Sequence, residues 1–275
     1  MIYETVGLIK EYPEATLTSY VCENAPELKA PPREAVIVCP GGGYGGLSER
    51  EAEVVLRKYF GAGMNAYLLR YSLNDRAKDC APLIQAALAI KYVKEHAAEH
   101  NTNPDKVFIL GFSAGGHLAA SSGILWNIPE VREAVGVENG SAPEGINRPA
   151  GMILAYPVIT TGEFTHKGTM QRVCGGENPD EETKKRFSLE LQVDETTSPT
   201  FVWHTVTDQI VDIRNTLMLV NALTEKGVFY EAHIYPKGPH GLSLCNKETW
   251  VGKETHLAPE AEGWVNASID WIKRV

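Results

Sequence analysis

Asp105-Lys-Val-Phe-Ile-Leu-Gly-Phe-Ser-Ala-Gly-Gly-His-Leu-Ala-Ala-Ser121 decides the fold. Its first half, Asp105 to Gly111, is a short apolar run that reads as a strand, and Ala114 to Ser121 opens a helix rich in small residues. Between them stands Ser113, flanked by glycines in Gly111-Phe-Ser-Ala-Gly115. A tight strand-to-helix turn lifts a hydroxyl clear of its own backbone, and small neighbours let that strained turn form. The helix that starts at Ala114 also aims unpaired N–H groups at any oxyanion formed beside the serine. Ser113 is therefore the candidate nucleophile, and strand–turn–helix the expected local structure.

Outward from this turn the same rhythm repeats. Glu34-Ala-Val-Ile-Val-Cys-Pro40, Asn65-Ala-Tyr-Leu-Leu-Arg-Tyr71, Gly151-Met-Ile-Leu-Ala-Tyr-Pro157, Thr200-Phe-Val-Trp-His204 and Phe229-Tyr-Glu-Ala-His-Ile-Tyr235 read as strands. Helices are expected at about 48–60, 82–98, 213–226 and 259–273, with Ile84, Leu88 and Tyr92 forming a helical stripe in the second. Strands alternating with helices imply parallel pairing, because a parallel crossover needs a connection that returns over the sheet. Continuously apolar strands imply helices on both faces. The interval 160–199 breaks the rhythm and is polar and loop-like, which predicts a cap inserted over the active site. No repeat, low-complexity tract or linker divides the sequence, so residues 1–275 are expected to form one domain.

A serine hydroxyl is nearly inert at neutral pH and needs a base, itself oriented by an acid. On this scaffold acid and base follow the nucleophile in chain order. His240, in Pro236-Lys-Gly-Pro-His-Gly-Leu242, occupies the loop after the last strand and is the expected base. Two acids compete. Asp208 directly follows the strand ending at His204, whereas Asp212 stands at a helix start and is accounted for as its N-cap, which favours Asp208. The glycine run Pro40-Gly-Gly-Gly-Tyr-Gly-Gly46 brings bare amides to the same end of the sheet, and Gly42, Gly43 and Ala114 are the expected oxyanion donors.

Other features are weighed against this chemistry. Gly41-x-Gly43-x-x-Gly46 also fits a dinucleotide fingerprint, but the following strand ends in Leu69-Arg70-Tyr71, without the acidic residue that would hold a ribose. Only a 2′-phosphorylated cofactor such as NADP would suit, and the Ser113 turn would be left unexplained. His96 and His100 have i, i+4 spacing but no evident third ligand, and read as the last turn of an exposed helix. His117 is expected to be a hydrogen-bonded structural residue. Tyr44, Tyr156, His166 and Trp203 are candidate substrate contacts, with core packing an equal account of the aromatic ones. No cofactor or metal is expected.

The formal net charge of −9 leaves no electrostatic footprint for nucleic acid or anionic membrane. No apolar run approaches the ~18–20 residues of a membrane span, and no basic–apolar leader opens the sequence, so the expected compartment is cytoplasmic. Five cysteines without a CxxC pair fit free thiols rather than disulfides or zinc. Nothing in the sequence sets the oligomeric state.

With these pieces in place, the sequence resembles the acetyl-xylan-esterase-like, or carbohydrate acetyl esterase, branch of the α/β-hydrolases. The resemblance rests on Val36-Ile-Val-Cys-Pro-Gly-Gly-Gly-Tyr44, Ile109-Leu-Gly-Phe-Ser-Ala-Gly-Gly-His-Leu-Ala-Ala120, Ala155-Tyr-Pro-Val-Ile159, His166-Lys-Gly168, Trp203-His-Thr205 and Gly238-Pro-His-Gly-Leu242. It implies an α/β-hydrolase fold, a mostly parallel sheet covered by helices on both faces with a small cap, and a triad of Ser113, Asp208 and His240. Proline stands where the related HGGG lipases have histidine, and Thr207 and Asp212 replace a common Asp and Pro. The expected activity is hydrolysis of a carboxylic ester through an acyl-enzyme. The expected substrate is a small-molecule ester, above all an acetylated oligosaccharide. A feruloyl or aryl esterase and a small peptidase of the same fold are the alternatives.

Overall fold

Val36, Ile37 and Val38 have no solvent exposure, and the whole sheet is organised around their strand. The computed structural model describes every residue except Pro26 and Leu28. Its strands are β1 (Ile2–Gly7), β2 (Thr16–Val21), β3 (Arg33–Cys39), β4 (Asn65–Arg70), β5 (Thr102–Phe112), β6 (Gly151–Ala155), β7 (Thr200–Thr205) and β8 (Tyr230–Tyr235). They form one eight-stranded sheet in the order β1-β2-β4-β3-β5-β6-β7-β8. From β4 to β8 neighbouring strands run parallel, as the alternation predicts.

The helices are α1 (Glu53–Gly61), α2 (Ala81–Glu95), α3 (Ala97–His100), α4 (Ala114–Ile124), α5 (Pro129–Val135), α6 (Lys167–Val173), α7 (Glu181–Phe187), α8 (Arg214–Glu225) and α9 (Trp264–Arg274). Because side chains alternate along a strand, β3 feeds two cores. Ala35, Ile37 and Cys39 pack with α2, α4 and α8. Val36 and Val38 pack with α1 and α9, where Trp264 and Trp271 fill the layer. Burying a Val or Ile fully is worth about 2 kcal/mol, so a strand covered on both faces gains from every position.

Four differences from the sequence reading have local causes. β1 and β2, unforeseen, pair antiparallel at one edge, β2 against β4. Their apolar alternation is diluted by Glu4, Thr5, Thr16, Thr18 and Ser19, which an edge tolerates. The helix expected over 48–60 is interrupted at Ala52 (φ −99°, ψ −118°), which separates a 3₁₀ turn at Glu49–Glu51 from α1. That expected over 82–98 breaks at His96, and His100 is buried rather than on an exposed helix, its Nδ1 hydrogen-bonded with the Tyr67 hydroxyl. The polar interval 160–199 holds α6, α7 and a 3₁₀ turn at Leu189–Leu191, not an irregular loop. Asp180 caps α7 by accepting from the Thr183 N–H at 2.7 Å. Asn215 on α8 binds the segment's entrance, its Oδ1 accepting from the N–H groups of Ile159 and Thr160 and its Nδ2 donating to the Phe164 carbonyl.

All five cysteines are free thiols. Among the described residues no helix is long and apolar enough to cross a membrane.

Candidate active site

The loops that leave the C-terminal ends of β3, β5, β7 and β8 meet at one end of the sheet, where open parallel sheets collect their ligands. Ser113 follows β5 with φ 53° and ψ −116°, a conformation that costs energy in any L-residue and is held by its surroundings. Its N–H donates to the Ala155 carbonyl, and its own carbonyl accepts from the N–H groups of His117 and Val158. The flanking glycines are obligatory. A Cβ at Gly111 would lie 1.9 Å from the Gly115 carbonyl oxygen, and one at Gly115 would lie 2.2 Å from that of Cys39.

His240 reaches this serine from the loop after β8. Its Nε2 is 2.8 Å from Ser113 Oγ, and its Nδ1 is 2.6 Å from Asp208 Oδ2. The Asp208 side chain is fully buried. Oδ1 accepts from the N–H groups of Ile210 and Val211, and Oδ2 also receives His204 Nε2 at 3.1 Å. Burial alone would push this carboxyl up. Hydrogen bonds from His204, His240 and Ile210 outweigh it and hold Asp208 well below the usual carboxylate range. Asp212, the rival acid, is spent locally, accepting from the Arg214 N–H and guanidinium at the start of α8. His204 went unrecognised as a partner of Asp208. The Thr216 hydroxyl lies 2.8 Å from its Nδ1, and its Nε2 faces the carboxylate.

The glycine run after β3 lies against the nucleophile. A Cβ at Gly41 would sit 2.8 Å from the Phe112 carbonyl oxygen and 3.1 Å from Ser113 Cβ, so only glycine fits without a backbone shift. The next two residues have φ of 134° at Gly42 and 66° at Gly43. The N–H groups of Gly42, Gly43 and Ala114 have no hydrogen-bond acceptor among the described residues. Arg172 of α6 clamps the loop, donating to the carbonyls of Gly43 and Gly168.

The four candidate contacts separate into two groups. Trp203 has no exposure and stacks on Trp264 with centroids 5.2 Å apart, so it is core and not a substrate contact. Tyr44 is buried too. Its hydroxyl is 3.1 Å from His117 Nδ1, while His117 Nε2 donates to the Phe187 carbonyl, tying glycine loop, α4 and α7 together. Burial pushes His117 down to about 4, and it stays a neutral structural residue. Tyr156 is buried behind His240, edge-on to its ring at 5.0 Å, and does not face a substrate. Burial and the adjacent Glu51 hold its phenol well above its ordinary value, so it remains an O–H donor. His166 alone stays half-exposed at the site. Burial, then the nearby His240, hold it below its ordinary value. Its Nδ1 lies 2.7 Å from Thr169 Oγ1, and Thr169 has no exposure. A buried hydroxyl needs an acceptor, so Thr169 donates and leaves Nε2–H as the outward donor of His166.

A cavity of about 740 Å³ opens beside His240, lined by Thr207, Gln209, Lys237, Pro239, Leu257 and Glu260 among others. Chemically, a hydroxyl on an imidazole that is held by a buried carboxylate can attack an acyl carbon, and bare amides beside it can hold the resulting oxyanion.

Comparison with known proteins bears on this geometry. The profile of the BD-FAE family matches residues 24–223. Endo-1,4-beta-xylanase B of Butyrivibrio fibrisolvens is 34% identical over 223 residues, 80% of this chain and 34% of that protein. The acetylxylan esterase of Xylanibacter ruminicola is 28% identical over 247 residues, 86% of this chain and 46% of its own length. The chain thus spans between a third and a half of these curated relatives. The crystal structure of an acetyl ester-xyloside bifunctional hydrolase from Caldicellulosiruptor lactoaceticus superposes with a TM-score of 0.81 at 30% identity, covering 98% of this chain and 96% of that one. The fold is the α/β-hydrolase fold.

Proposed function

The chain belongs to the BD-FAE family, and from that premise we propose that it is a serine carboxylic-ester hydrolase that removes short acyl groups, acetyl above all, from sugars or xylo-oligosaccharides. The observation that carries this reading is the hydrogen-bonded relay from Ser113 through His240 to Asp208. Ser113 Oγ attacks the ester carbonyl while His240 Nε2 takes its proton. Asp208 holds Nδ1–H and stabilises the imidazolium. Gly42, Gly43 and Ala114 donate to the oxyanion, each worth about 3 kcal/mol of barrier. The tetrahedral adduct collapses as His240 returns the proton to the departing alkoxide. Water then repeats the sequence on the acyl-enzyme. No step calls for a metal or an organic cofactor.

The two sides of the relay support a small acyl group and a larger alcohol. Toward the cap, His166 and Arg172 lie close over Gly43, and Ser113 is only 7% exposed. The leaving oxygen must approach His240, and a cavity of about 740 Å³, with Lys237, Pro239 and Glu260 in its wall, opens beside that imidazole. The relatives' names, acetylxylan esterase and acetyl ester-xyloside hydrolase, point the same way. On this reading residues 1–275 work as one catalytic domain, with 160–199 as its cap.

Acetylated xylo-oligosaccharides, p-nitrophenyl acetate, butyrate and ferulate, and an aminoacyl p-nitroanilide, assayed together, test the proposal. Release of acetate with loss of turnover in Ser113→Ala is expected. Preference for ferulate would make the enzyme an aryl esterase, and preference for the anilide a peptidase.

A further inference from the structure

Glu51 has no place in the chemistry above, yet it is a carboxylate only 3% exposed beside the nucleophile. Among the described residues it has no ion-pair partner. A buried carboxylate without a counter-ion is costly, and apolar side chains would pack the same space more favourably. Its hydrogen bonds show what the side chain holds. Oε2 accepts from the Gly41 N–H at 2.9 Å, and Oε1 accepts from the Tyr156 hydroxyl at 2.7 Å. That hydroxyl in turn accepts from the Ser243 N–H at 3.0 Å, three residues beyond His240.

Resting on the proposed function, we infer that Glu51 is a positioning residue that fixes the oxyanion loop and the histidine loop at one separation across Ser113. The two loops come from opposite parts of the sheet, after β3 and after β8, and no strand hydrogen bond joins them. Each holds a non-glycine residue in the left-handed region, Tyr44 at φ 55° in the first and Ser243 at φ 52° in the second, and Tyr156, which links them from the loop after β6, has φ 39°. Backbone of this kind persists only where its surroundings over-determine it. Arg50 repeats the link one residue earlier, its guanidinium donating to the Gly241 carbonyl at 2.8 Å and its own carbonyl accepting from the Ser243 hydroxyl. Glu51 is set on its 3₁₀ turn so that one side chain spans both loops. Ser113 Cβ and Glu51 Oε2 lie 3.1 Å and 2.7 Å from the same bare point, the missing Cβ of Gly41.

The amide of Glu51→Gln offers one acceptor and one donor where two donors point, so the Tyr156 hydroxyl must turn from donor to acceptor and leave its own O–H without a partner in a buried site. Hydrolysis of p-nitrophenyl acetate by Glu51→Gln should lose about 10- to 100-fold in kcat with KM within about twofold, since substrate contacts are untouched while the transition-state geometry is not. Affinity for a boronic acid that mimics the tetrahedral adduct should fall in step with kcat/KM. Tyr156→Phe, which cuts only the histidine-loop arm, should lose less, and the double variant should be no worse than Glu51→Gln alone. Unchanged kcat in a Glu51→Gln protein of native near-UV circular dichroism overturns the inference, as does a rise in KM alone or additive losses in the double variant. If Glu51→Gln does not fold, Tyr156→Phe decides by the same split between kcat and KM. Wild-type turnover abolished by Ser113→Ala establishes the parent reading separately. A wild-type protein without esterase activity ends both.

Discussion

Two buried carboxylates flank His240, and they are held in different ways. Asp208 sits in the loop after β7 with four donors on its two oxygens, and it touches the imidazole directly. Glu51 sits beyond the glycine loop with two donors, and reaches His240 only through a tyrosine and the backbone of the next loop. On the proposed mechanism the first sets the tautomer and stabilises a charge that forms during reaction. The second sets a distance. A carboxylate saturated by donors therefore has a role given by which donor moves a proton, not by how deeply it is buried.

The largest effect that would break this distinction is at Asp208. Asp208→Asn should lower kcat by about 10⁴-fold, because an amide beside Nδ1 favours the wrong tautomer. That is well beyond the loss expected for Glu51→Gln, and equal losses in the two variants would erase the difference between them.

Next in size is the pH dependence of stability set by His117. Its pKa falls from 6.5 to about 4 in the folded protein. A histidine depressed by folding contributes stability in full above its unfolded pKa, and loses it as pH drops, because the unfolded chain takes up the proton first. About 3 kcal/mol should vanish between about pH 6.5 and pH 4. Urea unfolding across that range should show the slope, and His117→Gln should remove its share. Asp208 adds to the loss at lower pH, its depressed carboxyl favouring the folded state until it is protonated.

A smaller loss is expected at His204, which supports Asp208 from behind. His204→Leu removes a donor from a buried carboxylate and should cost about 2 kcal/mol in urea unfolding, with kcat down about tenfold. Smallest is Asp212→Ala. The lost helix-start contact should cost about 1 kcal/mol, and kcat should stay within about twofold of wild type. A collapse of activity there would exchange the two acids.

The sequence made legible those parts that rest on backbone demands. Gly111 and Gly115 are readable because no other residue survives the close approach of the elbow, and the strands from β3 to β7 because both faces are buried. The place of His240 follows from chain order. Glu51 and His204 were not readable, since their roles arise from partners met only after folding. Glu51 bonds Tyr156 across 105 positions, and between Ala52 and Gly61 its neighbours look like an ordinary amphipathic helix. The β1–β2 edge was hidden by polar alternation. The helices of 160–199 are seven residues each, too short to print a period. Trp203 shows the opposite failure, an aromatic near a strand end that packs inward against Trp264.

Intact-protein mass spectrometry after treatment with a fluorophosphonate, followed by peptide mapping, tests the central claim most directly. A single covalent adduct should appear on Ser113, at a rate that collapses in His240→Ala and with no labelling in Ser113→Ala. An unlabelled protein, or an adduct on another residue that persists in Ser113→Ala, would contradict it.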